Sequence, residues 1–206
     1  MGMKTRLLLL LALLPVTVGA QDLLDGTYDV YFQQLSMAGK LEGCSLVFTG
    51  LTRDSAYLKG AQVIVNGSLA YRTLDRENTF VFAGKLGTKP LLAPKSPWSA
   101  PTHFHFATKS ASTAGKGKIM AGESGYRLLL THVDDELTRF LEEMTSSGGF
   151  VVGFNRKEGG QDVLAPIRLD VSLTKDSNGN AIQKRNDQTA NDFMDCIGRL
   201  VDRIRR

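Results

Sequence analysis

The chain carries two cysteines, Cys44 near its beginning and Cys196 near its end. A bond between them would press the first strands against the last helix, so their redox state constrains the fold more than any other feature. The N-terminus indicates which state to expect. Lys4 and Arg6 precede an apolar run from Leu7 to Leu14, Pro15 interrupts it, and Val18-Gly19-Ala20 supplies small residues for cleavage. A basic segment, an apolar segment and a small-residue site in that order read as an export signal over residues 1–20. The run is too short for a membrane helix, which needs about 20 apolar residues; the alternative is an uncleaved anchor. No cysteine sits at the cleavage point, and no later stretch is apolar enough to span a membrane. The expectation is a cleaved leader and a single exported α+β domain over residues 21–206, periplasmic or secreted. In an oxidising space an isolated Cys44–Cys196 pair forms a disulfide. Chain entropy assigns such a closure at most about 5 kcal/mol. A reactive thiol lacks support, because neither cysteine lies in a Cys-x-x-Cys or beside a histidine.

A chain of this length buries roughly 70% of the surface its unfolded form exposes, so folding requires no metal. Lys and Arg number 25 against 21 Asp and Glu. Two of the basic residues lie in the leader, which brings the mature chain closer to neutrality. That balance argues against nucleic acid, which calls for a clustered basic surface.

Strand-like alternation dominates the mature chain. Tyr28, Val30 and Phe32 mark one strand, Leu46 and Phe48 a second, and Phe80 and Phe82 another. Asn66-Gly67 between Val63-Ile64-Val65 and Ser68-Leu69-Ala70-Tyr71 reads as a two-residue hairpin. Residues 87–102 hold Pro90, Pro94, Pro97 and Pro101 with the single tryptophan, Trp98. Such a segment is expected to stay outside any sheet ladder, because proline lacks the donor. Ser110 to Lys118 reads as a mobile hairpin tip or loop.

After a strand at Tyr126–Thr131, Asp134 can cap a short helix near 134–147, in which Leu137, Phe140, Leu141 and Met144 form one apolar stripe. A hairpin follows, turning at Glu158-Gly159-Gly160, with Pro166 placing the return strand's start there or the strand on an edge. Residues 174–188 read as a polar loop. Thr189 with Asp192 suggests a capping box for a C-terminal helix near 189–205, whose apolar face holds Phe193, Cys196, Ile197, Leu200 and Ile204. The fold class expected is α+β: a mainly antiparallel sheet, sandwich-like or strongly curved, with both helices packed on it.

Three features bear on function. In His103-Phe104-His105-Phe106 the imidazoles share one strand face, so with His132 they could hold zinc or copper, as in a metal-binding protein or metal-dependent hydrolase. Against this, His132 shares strand parity with Leu128 and Leu130, so it would face the core while the pair faces solvent. Lys116 and Lys118 in Gly115-Lys116-Gly117-Lys118 lack the spacing of a phosphate loop, but could meet an anionic envelope component. Trp98, beside Pro97 on a restricted loop, would lose little entropy on binding; its alternative is to fold back over the sheet. Asp134-Asp135 and Glu142-Glu143 are adjacent on a helix and diverge, so they are not the facing carboxylates of acid–base catalysis.

With no nucleophile–base pair and no cofactor loop in view, the sequence favours a non-enzymatic bacterial binding protein, of inhibitor, immunity or assembly-factor type, expected to carry no cofactor. Its partner would be another protein or a cell-envelope component. A metal protein using His103, His105 and His132 is the alternative, and a structural envelope component is the third.

Overall fold

Alternating residues in the first half of the chain build four long strands. In this computed structural model, which describes residues 26–74 and 79–205, these are β1 (Gly26–Met37), β2 (Lys40–Asp54), β3 (Ala61–Leu74) and β4 (Thr79–Pro90). The export-signal residues 1–20 lie outside the described chain. Three shorter strands follow: β5 (His103–Ala107), β6 (Lys118–Ala121) and β7 (Arg127–His132). Helix α1 (Asp135–Ser146) leads to β8 (Gly149–Asn155) and β9 (Val163–Arg168), then β10 (Val171–Lys175), β11 (Ala181–Arg185) and helix α2 (Gln188–Arg205). All strand pairs are antiparallel. They form a six-stranded sheet ordered β1-β2-β3-β4-β7-β6, a three-stranded sheet ordered β5-β8-β9, and the β10-β11 hairpin. This is the α+β fold expected, and among the described residues no helix is long and apolar enough to cross a membrane.

Period-two alternation gives the large sheet one apolar face. Cys44, Leu46 and Phe48 of β2, Val63, Val65 and Leu69 of β3, and Phe82 and Leu86 of β4 are fully or almost fully buried. The small sheet answers with Phe104 and Phe106, Phe150, Val152 and Phe154, and Ala165 and Ile167. Phe106 joins the two layers: its ring lies edge-on to Phe48 at 6.2 Å, Phe82 at 5.8 Å and Phe150 at 5.8 Å. Each such pair adds about 0.5–1.5 kcal/mol beyond the area buried.

Both helices close this core as their stripes predict. Asp134 Oδ1 accepts from Leu137 N at 2.8 Å and caps α1, and Leu137, Phe140, Leu141 and Met144 are buried. Helix α2 lies against β1 and β2 and buries Phe193, Cys196 and Leu200. Cys44 and Cys196 form the expected disulfide, with their Cα atoms 5.9 Å apart and both residues fully buried.

Four local expectations are overturned. Asn66-Gly67 is not a turn, since β3 passes straight through it. Gly67 is needed for close packing: a Cβ there would stand 2.4 Å from Lys85 O and 2.7 Å from Phe48 Cζ. The two-residue hairpin lies instead at Ala38-Gly39, where both φ angles are positive, +49° and +78°.

Residues 174–188 are largely a hairpin rather than a loop, because Asp176 Oδ1 accepts from Asn178 N and Asn180 N and bends the chain back. Residues 87–90 remain in the ladder of β4, with Pro90 at its last position. The start of α2 is held by Asn186, whose Oδ1 accepts from Gln188 N at 3.1 Å, while Thr189 is buried inside the first turn. The segment 108–116 is fastened to α1: Glu143 accepts from Thr108 Oγ1 and Ser110 N, and Lys116 meets Asp134 and Glu136.

Candidate functional site

The outer face of the six-stranded sheet is built from the residues that alternate with the core. Read across the strands, one row is Tyr31, Val47, Ser68, Lys85 and Leu128. The next is Gln33, Ser45, Ala70, Ala83 and Leu130. Small residues occupy the middle strands and larger ones the flanks. The face is hollowed: residues of β1, β2, β3, β4 and β7 together line one depression of about 450 Å³. On its floor Ser45 is 5% exposed and Ala70 7%, although neither belongs to the inner face. The larger Tyr31, Gln33, Arg72 and Leu128 stand around the same depression and shelter these small side chains.

Beside the hollow stands an aromatic wall. Gly87 of β4 pairs with Asn66 of β3, and the missing side chain at Gly87 lets the Tyr126 ring lie across the strand, where a Cβ would come within 2.7 Å of it. Tyr126 Oη donates to Asn66 Oδ1 at 3.1 Å. Burial, with the nearby Glu123 carboxylate second, pushes the Tyr126 phenol above its ordinary value, so it stays protonated and keeps this bond.

Trp98 stacks on Tyr126 with ring centroids 5.6 Å apart. Lys85 Nζ stands 4.7 Å from the Tyr126 ring and Lys89 Nζ 4.8 Å from the Trp98 ring. Gly125, at φ +84°, fixes the wall, because a Cβ there would meet Trp98 Cβ and O at 2.5 Å. Cations border the face: Lys85 is paired with Glu123 at 2.8 Å, whereas Arg72 and Lys118 have no carboxylate partner among the described residues.

The residues singled out from sequence are distributed as follows. Trp98 is half-buried and folds back onto Tyr126, yet forms part of the wall, while Pro97 is exposed on the same loop. Lys118 stands beside Leu130 on the outer face. Lys116 does not join it, being held by Asp134 and Glu136, which raise its pKa.

His103 and His105 lie on β5 of the small sheet, with ring centroids 6.4 Å apart. His132 belongs to the large sheet, opposite Val81. It is exposed with Leu130 on the outer face, whereas Leu129 faces the core, so the expected inward parity of His132 is reversed. The His pair is not fully solvated either: His105 rests over Gly153 and lies 3.6 Å from Asp162. Burial holds the His105 pKa below its ordinary value, with Asp162 opposing the shift. Among the described residues no three His, Cys, Asp or Glu side chains converge as a metal site.

Sequence reasoning missed Tyr126, Lys85, Lys89, Asn66 and the floor of the hollow. A signal for the floor was present: Ser45, Ser68, Ala70 and Ala83 are small residues alternating with core positions in neighbouring strands. No protein family, curated protein or solved structure matches the chain.

Proposed function

We propose that this chain is an exported, non-enzymatic binding protein that cradles an anionic segment of a partner, another protein or a cell-envelope polymer, in the hollow outer face of its large sheet. The observation that carries the reading is the hollow over Ser45 and Ala70, lined among the described residues by the strands of the sheet itself and flanked by the Trp98–Tyr126 wall. Lys89, Arg72 and Lys118 favour negative charge in the occupant, and the rigid aromatic pair offers contact area at small entropic cost. Export is supported by the leader-like residues 1–20 and by the disulfide. The mature protein then begins near Gln21, which N-terminal sequencing checks.

The deciding experiment is affinity capture from the periplasmic fraction with the wild-type chain and with Ser68→Trp, which fills the hollow from the middle of β3. One stoichiometric partner held by the wild type and lost by Ser68→Trp supports the proposal, as does weakening of the complex by salt. Equal capture by both chains removes the hollow from consideration. Sedimentation of the protein with wall or membrane fractions, with no discrete partner, would instead favour a structural envelope component.

A further inference from the structure

The connection from β4 to β5 carries an apolar tip. Leu92 is 93% exposed, more than any other large apolar side chain among the described residues. Pro94, Pro97 and Ala100, close to it in sequence, are exposed as well. Over residues 87–102 the charged side chains are Lys89 and Lys95, with no Asp or Glu. Neither lysine meets a carboxylate among the described residues. A bare leucine alone is ordinary on a protein surface. The backbone that carries this one sets it apart.

Pro90, Pro94 and Pro97 have no amide hydrogen. Leu91 N donates to Gln62 O at 2.9 Å, Ala93 N to Pro90 O at 3.3 Å and Ser96 N to Ala93 O at 2.9 Å. Within residues 90–97 that leaves the amides of Leu92 and Lys95 to water. The last two bonds close successive turns over residues 90–93 and 93–96, and Leu92 sits at the corner of the first. The base of the loop is clamped. Thr88 and Ser99 exchange backbone bonds of 3.0 and 2.8 Å, Lys89 Nζ donates to Pro94 O at 3.4 Å, and Trp98 rests against Gly125 and Tyr126. With most of its donors absent or bonded within the chain, this tip leaves water at a small polar cost. Being held already, it also loses little entropy on docking.

We propose that the 90–97 loop docks the protein reversibly on an anionic lipid bilayer, with Leu92 entering the interface and Lys89 and Lys95 lying among the headgroup phosphates. A bilayer fits better than a socket on a protein, because the tip offers an apolar side chain and positive charge but few free donors for a partner to read. One leucine and two cations make a weak anchor, half-saturated at about 1 mM lipid. The docking uses no residue that lines the outer hollow.

The test is flotation of the purified mature chain with vesicles of phosphatidylcholine, alone or mixed with phosphatidylglycerol. The mixed vesicles should bind it saturably, and added salt should weaken the binding. Plain phosphatidylcholine should bind at least about tenfold more weakly. Leu92→Ser should lose at least about tenfold in affinity and Lys95→Gln about fivefold. Leu92→Trp should bind at least as well as the wild type, because a bilayer accepts any apolar side chain and its interface favours tryptophan. Ser68→Trp, which fills the hollow, should float like the wild type, so the docking loop and the hollow stand or fall separately. Sedimentation with membrane fractions that Leu92→Ser abolishes belongs to this loop and not to a structural role. The proposal is overturned if the mixed vesicles do not bind below about 10 mM lipid, if Leu92→Ser binds them unchanged, or if Leu92→Trp loses them. Capture of a protein that depends on Leu92, with no binding to vesicles, would likewise overturn it and assign the loop to a protein socket.

Discussion

The two faces of the six-stranded sheet come from the same strands by alternate residues, and both contain positions almost closed to water. On the inner face Phe48, Leu69 and Phe82 are buried because another layer packs on them. On the outer face Ser45 and Ala70 are nearly as inaccessible, although they lie on the floor of an open hollow. Low exposure thus has two physical origins here. One is close packing, where each methylene removed costs stability. The other is concavity, where small side chains leave a space that something else can enter. The first holds the fold together, and the second leaves an open hollow on the surface.

Perturbations should separate the two faces. The largest effect is expected for Phe106→Ala on the inner side, which removes the ring that bridges the sheets and should cost about 3–5 kcal/mol in chemical denaturation. If it costs under about 1 kcal/mol, Phe106 does not join the layers. Replacing both cysteines, Cys44→Ser with Cys196→Ser, should cost about 2–5 kcal/mol, with α2 losing hydrogen-exchange protection ahead of β3 and β4.

Gly125→Ala should cost about 1–3 kcal/mol, because a non-glycine residue is strained at that φ and its Cβ collides with Trp98. Trp98 is the only tryptophan, so its fluorescence reports directly whether the wall has opened, and an unchanged spectrum would remove Gly125 from that role. Ser68→Trp on the outer face should change stability by less than about 0.5 kcal/mol while abolishing partner capture. A large destabilisation there would show that the outer face is structural after all.

The smallest effect concerns the outer side of the small sheet. The folded pKa of His105 lies below 6.5, and burial is the main cause. Below pH 6.5 the unfolded chain therefore takes up the proton first. Stability is complete above that pH and declines as the pH falls through the window beneath it. NMR titration should place His105 under 6.5, and Asp162→Asn, which removes the opposing charge, should lower it further.

Much of the architecture was legible where burial imposes a period. The α1 stripe, the apolar face of α2, the Cys44–Cys196 bond and the alternation in β2 and β8 all follow from one side of an element facing the core. What escaped reading had no such imprint. Strand β11 is exposed along its whole length, so Ala181–Arg185 carries no alternation and resembles a loop. Asn66-Gly67 has the composition of a turn, but Gly67 serves to admit a neighbouring carbonyl and a phenyl ring, a long-range cause that local propensity cannot reveal. The hollow was hidden for the same reason: its small residues gain meaning only when five strands are set side by side. Tyr126 and Trp98 meet through a left-handed glycine and a strand glycine distant in sequence, so their pairing could not be read from either neighbourhood.

Joining Cys44 to Cys196 turns nearly three-quarters of the chain into a covalent ring. A single protease cut within it, for example at Leu92, whose side chain is 93% exposed, would leave one molecule that separates into two pieces only when a reductant is added. The ring also has a timetable. It cannot close until Cys196 has been synthesised, so β2 stays covalently untethered until nearly the whole chain exists.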